Sequence, residues 1–163
     1  MTNVWLPPMT AGDIMTKDVL FVGPDVPTRT MAKLLLEKGV SAAPVVAASG
    51  EVVGMVSEAD LLGRQIQERT PNRMWWLEML AEGEDLATEF LDYLKNNDPV
   101  VGNVMKTPVI TVSESTRIEE IAQILERHHI KRVPVVRDGH LVGIVARADL
   151  IRALSETSRH ASL

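Results

Sequence analysis

The sequence predicts an α+β fold in which two copies of one β-α-β-β-α unit pair about a pseudo-twofold axis. A repeat is the first observation: AAPVVAASGEVVGMVSEADLL (42–62) and RVPVVRDGHLVGIVARADLI (132–151) share Pro-Val-Val, a glycine turn and Ala-Asp-Leu. The second is that β-branched runs alternate with helical periodicity in each copy. The third is size, because a unit of about 50 residues buries too little surface to be more than marginally stable alone.

The second copy predicts a strand and then a helix. Pro108 to Val112 is a short β-branched run. Thr116 and Glu119 have capping-box spacing, which predicts that a helix starts here. His128 lies near the expected helix end, where cationic character suits the negative terminus. The apolar face of this helix is formed by Ile118, Ile121, Ala122, Leu125 and His129.

A hairpin and a second helix complete the copy. Residues 133–136 predict a buried strand, Asp138-Gly139 a two-residue turn, and residues 141–145 the returning strand. Ala148 then opens the second helix. In the first copy the equivalent first helix is expected to start at residues 25–27 and to end at Gly39.

Composition limits the function classes. The chain has 163 residues, of which 45% are hydrophobic and 24% charged, so it can bury a sizeable core. Its net charge of −5 argues against a nucleic-acid partner. The absence of cysteine excludes disulfides and cysteine nucleophiles. No signal peptide or membrane-length apolar run is visible, so we expect a cytoplasmic protein with no membrane partner.

The 34 residues between the copies, 67–100, do not match either repeat. Their periodicity predicts a helical hairpin that breaks at Gly83, which is too patterned for an inert linker. Trp75 and Trp76 lie in it, and such aromatic residues favour buried or interface positions. The hairpin is expected to pack on its own module or dimer mate. Docking of an effector protein and a ligand lid are the alternatives.

Three motifs together resemble a tandem pair of cystathionine-β-synthase-type (CBS) domains, a Bateman module. They are Asp-Ile-Met at 13–15, His-His-Ile-Lys-Arg-Val-Pro-Val-Val at 128–136, and Gly-hydrophobic-Val-x-x-x-Asp at both 54–60 and 143–149. The predicted organisation is an N-terminal extension (1–10), CBS repeat 1 (11–66), the helical insertion (67–100), CBS repeat 2 (101–156) and a C-terminal tail (157–163). The resemblance implies a regulatory homodimer that binds AMP, ADP, ATP, NAD or S-adenosylmethionine, with Mg only alongside ATP.

Two aspartates are the main candidates for binding such a ligand. Asp60 and Asp149 each lie in the first turn of a predicted helix, directly after a buried strand. A carboxylate can accept from both ribose hydroxyls, and free N–H groups at a helix start favour a phosphate. The competing interpretation is that each aspartate only caps its helix, as the spacing from Ser57 to Asp60 also suggests.

The flanking residues predict two unequal clefts. In the family pattern a hydroxyl that can contact phosphate precedes the aspartate by three positions, and only the first copy keeps it, as Ser57. The second copy instead carries basic candidates, whose guanidinium groups suit phosphate. The phosphate candidates of the second copy are Lys131, Arg132 and Arg147, and the adenine candidates are Val133, Pro134, Ala43 and Pro44.

Catalysis and metal binding are not expected. The sequence has no Ser-His-Asp arrangement and no Gly-rich phosphate loop. Adjacent His128 and His129 would point in different directions on a helix and make a poor chelate. A ligand-independent dimerisation or interaction scaffold is the alternative function. The sequence leaves open which ligand binds and which effector is regulated.

Overall fold

The computed structural model describes residues 8–67 and 99–160. The predicted hairpin with Trp75 and Trp76 therefore lies outside the described residues. The helices described are α1 (Ala11–Ile14), α2 (Thr28–Lys38), α3 (Glu58–Gln67), α4 (Val101–Val104), α5 (Ile118–Arg127) and α6 (Arg147–His160). The strands are β1 (Ala42–Val46), β2 (Val52–Ser57), β3 (Val112–Ser113), β4 (Arg132–Arg137) and β5 (His140–Ala146).

These elements form two compact units. The N-terminal unit takes the described residues of 20–49 and 53–109, and the C-terminal unit takes those of 1–19, 50–52 and 110–163. Both units mix small sheets with helices, which confirms the predicted α+β class. None of the helices described is both long and apolar enough to cross a bilayer.

In the N-terminal unit, strands β1 and β2 pair and helix α2 packs over them. Helix α2 starts directly after Pro27, whose fixed φ suits a helix start, and ends at Gly39 with φ 64°. Both ends confirm the prediction. The buried core comprises Val22, Met31, Leu35, Ala43, Val45, Val56, Leu61, Val101 and Val104.

In the C-terminal unit, β3, β4 and β5 form one sheet in that order. Strand β3 runs parallel to β4, and β4 runs antiparallel to β5. Asp138 and Gly139, at φ 51° and 80°, make the predicted two-residue turn. The buried core comprises Ala11, Val112, Ile118, Ile121, Leu125, Val133, Val135, Val145, Leu150 and Ala153.

Each unit contains the short helix that begins the other repeat. Helix α1 belongs to the C-terminal unit, where the Ala11 N–H donates to the Thr116 carbonyl at 2.8 Å. Helix α4 belongs to the N-terminal unit, where the Val101 N–H donates to the Val26 carbonyl at 2.8 Å. Ala11 and Val101 are both fully buried. A compact unit therefore differs from a sequence repeat in its first segment.

Two local predictions are wrong. The first strand of the second copy is only β3, not Pro108 to Val112. The expected capping box at the start of α5 does not form, because the Glu119 carboxylate accepts from the Arg117 guanidinium at 3.2 Å. The Thr116 hydroxyl oxygen instead accepts the Ser113 N–H at 3.0 Å. Helix α6 extends to His160.

Candidate functional site

The Asp60 carboxylate is buried in the first turn of α3, with 6% of its surface exposed. Its Oδ2 accepts from the Ser57 N–H at 2.9 Å and from the Ser57 hydroxyl at 3.0 Å. The capping interpretation of this pair is therefore realised in the structure. Both contacts use Oδ2, so the second oxygen, Oδ1, takes no part in the cap.

Lys106 lies beside the second oxygen of Asp60. Its Nζ is 3.9 Å from Asp60 Oδ1, and its side chain is 69% exposed. Two backbone hydrogen bonds with Met55, at 2.8 and 3.2 Å, hold the Lys106 main chain against β2. Lys106 is not predictable from the sequence, because 45 residues lie between it and Asp60 and no local spacing rule connects the two.

Asp149 has the same position at the start of α6 and is 8% exposed. Its Oδ2 accepts the Ala146 N–H at 2.8 Å, so it also caps its helix. Its Oδ1 accepts from the Arg152 guanidinium at 3.1 Å, a charge-assisted bond between residues one helical turn apart. Arg152 was also missed, although the Asp-to-Arg spacing of three on a helix could have indicated it.

The basic candidates of the second copy come together next to Asp149. Arg132 pairs with Ala146 across β4 and β5, and the Lys131 carbonyl accepts the Arg147 N–H at 3.0 Å. Lys131 and Arg147 are exposed, whereas Arg132 is half-buried. The structure thus gathers the predicted phosphate candidates of this copy at one helix start.

The apolar candidates are deeply buried. Ala43 and Val133 are members of the two hydrophobic cores, and Pro44 and Pro134 have less than 2% of their surface exposed. Their side chains are therefore withdrawn from solvent.

Metal ligands do not converge in the part of the chain that the structure describes. Across residues 8–67 and 99–160, no three His, Asp or Glu side chains form a group that could hold an ion. The structure offers instead two buried carboxylates at helix starts, each with one oxygen facing a cation. Carboxylate oxygens accept from hydroxyl groups, and helix starts and cations attract phosphate.

Comparison with known proteins identifies relatives over almost the whole chain. The family model described as CBS domain matches residues 11–66 and 101–156. The CBS domain-containing protein CBSX1, chloroplastic, of Arabidopsis thaliana is 33% identical over 92% of this chain. This chain spans 66% of the length of CBSX1.

Two further relatives match over nearly their full length. An uncharacterized protein of Methanocaldococcus jannaschii is 32% identical to this chain, and the match covers 90% of this chain and 91% of the length of that protein. The protein in the crystal structure of CBSX2 in complex with AMP is 31% identical in sequence to this chain, and the two structures superpose with a TM-score of 0.70. The match covers 93% of this chain and 99% of that one.

Proposed function

Because the chain belongs to the CBS domain family, we propose that it is a regulatory module that binds adenosine-containing ligands at Asp60 and Asp149. Adenine nucleotides are the leading ligand class, and the CBSX2 structure with AMP supports that choice. The module would act by coupling nucleotide binding to an effector rather than by catalysis. A homodimer and a cytoplasmic location remain predictions.

The repeated placement of a buried carboxylate carries this proposal. Both aspartates are more than nine-tenths buried at the first turn of a helix that follows a buried strand. In each, Oδ2 is committed to the helix cap and Oδ1 faces a basic side chain. A ribose diol would donate to Oδ1, while the cation would move to the phosphate.

The direct test is isothermal titration of the full chain, stripped of nucleotide, with AMP, ADP, ATP, NAD and S-adenosylmethionine, and with GTP as control. ATP is tested with and without magnesium. We expect adenosine ligands to bind and GTP to bind far more weakly. Asp149→Asn and Asp60→Asn should each weaken binding at the altered site by about tenfold or more, since a hydrogen bond to a charged group contributes about 1.5–3 kcal/mol.

Asp13 provides a matched control for helix capping. Its Oδ2 accepts from the Thr10 N–H at 2.9 Å and the Thr10 hydroxyl at 3.0 Å, the same geometry as at Asp60. Asp13→Asn therefore weakens the same kind of cap at a carboxylate that is not among the proposed ligand-binding residues. If Asp60→Asn and Asp13→Asn leave affinity equally unchanged, the aspartates only cap helices and the ligand binds elsewhere. If no ligand binds to the unmodified chain, the chain is a ligand-independent scaffold.

A further inference from the structure

The two sites can be compared position by position, because the repeats align around them. Lys131 and Arg132 correspond to Ser41 and Ala42, and Arg147 corresponds to Glu58. The backbone contact is the same in both, since the Ser41 carbonyl accepts the Glu58 N–H at 3.0 Å as the Lys131 carbonyl accepts that of Arg147. The scaffold is therefore shared, and the side chains on it differ in charge.

Four basic residues lie at or near the start of α6. Lys131, Arg132 and Arg147 come from the paired strand ends and the helix start, and Arg152 reaches the Asp149 carboxylate from one turn along the helix. Arg152 is the one that forms an ion pair with Asp149, at 3.1 Å. Because α6 also presents its N-terminal dipole here, this site favours ligands that carry several negative charges.

The start of α3 lacks the basic residues found at the start of α6. The positions equivalent to Lys131, Arg132 and Arg147 hold Ser41, Ala42 and the acidic Glu58. The position equivalent to Arg152 holds a glycine, residue 63. Lys106 lies beside Asp60, with its Nζ 3.9 Å from Oδ1. With Glu58 and Asp60 both acidic, this site disfavours a ligand with a triphosphate.

We infer that the two sites select adenosine ligands by phosphate charge: the Asp149 site takes polyphosphate nucleotides such as ATP, and the Asp60 site takes adenosine ligands with one phosphate or none. This inference rests on the proposed function and extends it. Arg147 and Glu58 are the specificity-determining pair, because they occupy equivalent positions, are both exposed, and carry opposite charges.

A reciprocal charge exchange tests the inference. Adenosine, AMP and magnesium-free ATP are titrated into the full chain and into its Asp60→Asn and Asp149→Asn variants, which isolate one site each. In the Asp60→Asn variant, which keeps Asp149, ATP should bind at least about tenfold more tightly than adenosine, as expected for one or two added charge-assisted contacts. In the Asp149→Asn variant, which keeps Asp60, ATP should bind no more tightly than adenosine.

Arg147→Glu and Glu58→Arg supply the matched swap without changing either capping aspartate. Arg147→Glu should lower ATP affinity by about tenfold to a hundredfold and leave adenosine affinity almost unchanged. Glu58→Arg should raise ATP affinity at the first site, and added salt should reduce these differences.

The failures of the inference and of the proposed function are distinguishable. If adenosine ligands bind but the ratio of ATP to adenosine affinity is equal at both sites, or the two charge swaps leave it unchanged, the inference is wrong and the proposed function stands. If no adenosine ligand binds to the unmodified chain, both are wrong.

Discussion

Replacing Gly143 with alanine should destabilise the C-terminal unit, because Met15 occupies the space that a Cβ would need. An added Cβ would lie 2.5 Å from Met15 Sδ, 2.8 Å from its Cγ and 3.1 Å from its Cβ. Carbon and sulfur atoms pack at about 3.5–4.0 Å, so the whole Met15 side chain has to move. Overpacking of this kind costs about 1–3 kcal/mol, partly offset by about 0.5–1 kcal/mol because alanine suits a strand better than glycine.

Urea denaturation followed by circular dichroism measures this loss, for which we expect a net of about 1–2 kcal/mol. Gly23→Ala is the matched control. A Cβ there meets only the Val46 carbonyl oxygen at 3.9 Å, an ordinary contact. That variant should be neutral or slightly stabilising, since alanine restricts the unfolded chain.

A double-mutant cycle with Met15→Ala shows whether the contact is the cause. Met15→Ala alone removes packing and destabilises the fold, but in the Gly143→Ala background it also relieves the overlap. The two changes together should therefore cost less than the sum of their separate effects, by about 1 kcal/mol. Additive losses within about 0.3 kcal/mol would refute the packing argument.

Two further predictions concern a turn and a surface ion pair. In the same urea assay, Gly50→Ala should lower the free energy of unfolding more than Gly39→Ala does. Both glycines have positive φ, but only at Gly50 would a Cβ meet the His140 ring, at 2.5 Å. Equal losses in the two variants would contradict this. The Arg117 guanidinium donates a hydrogen bond to the Glu119 carboxylate and lowers the pKa of Glu119. The pair therefore stabilises the fold at pH values above the ordinary glutamate pKa, and this stabilisation is lost as the pH falls through the lowered pKa. Arg117→Ala should raise the Glu119 pKa towards its ordinary value in an NMR titration, and an unchanged pKa would contradict the assignment.

The sequence predicted the elements whose chemistry is local. Asp138-Gly139 specifies its turn because both residues tolerate positive φ, and Gly39 ends α2 for the same reason. The predicted capping box at the start of α5 does not form, because Thr116 and Glu119 each have a competing partner nearby. A spacing rule describes one set of contacts and does not compare it with the alternatives.

The candidate site was predictable only in part. The aspartates and the basic run beside Asp149 follow from the repeat register, and the structure brings them together. Lys106 could not be found in this way. It reaches Asp60 because α4 joins the N-terminal unit, and that placement depends on packing between segments on either side of residues 67–100.

The exchange of short helices explains why the chain needs two copies of one unit. Val101 and Val104 belong to the core of the N-terminal unit, yet they come from the start of the second repeat. Ala11, from the start of the first repeat, is buried in the core of the C-terminal unit. Neither repeat therefore supplies all of the core that buries its own sheet. The same exchange places Lys106 beside Asp60, so the segment that completes the core also supplies the charge next to the proposed binding carboxylate.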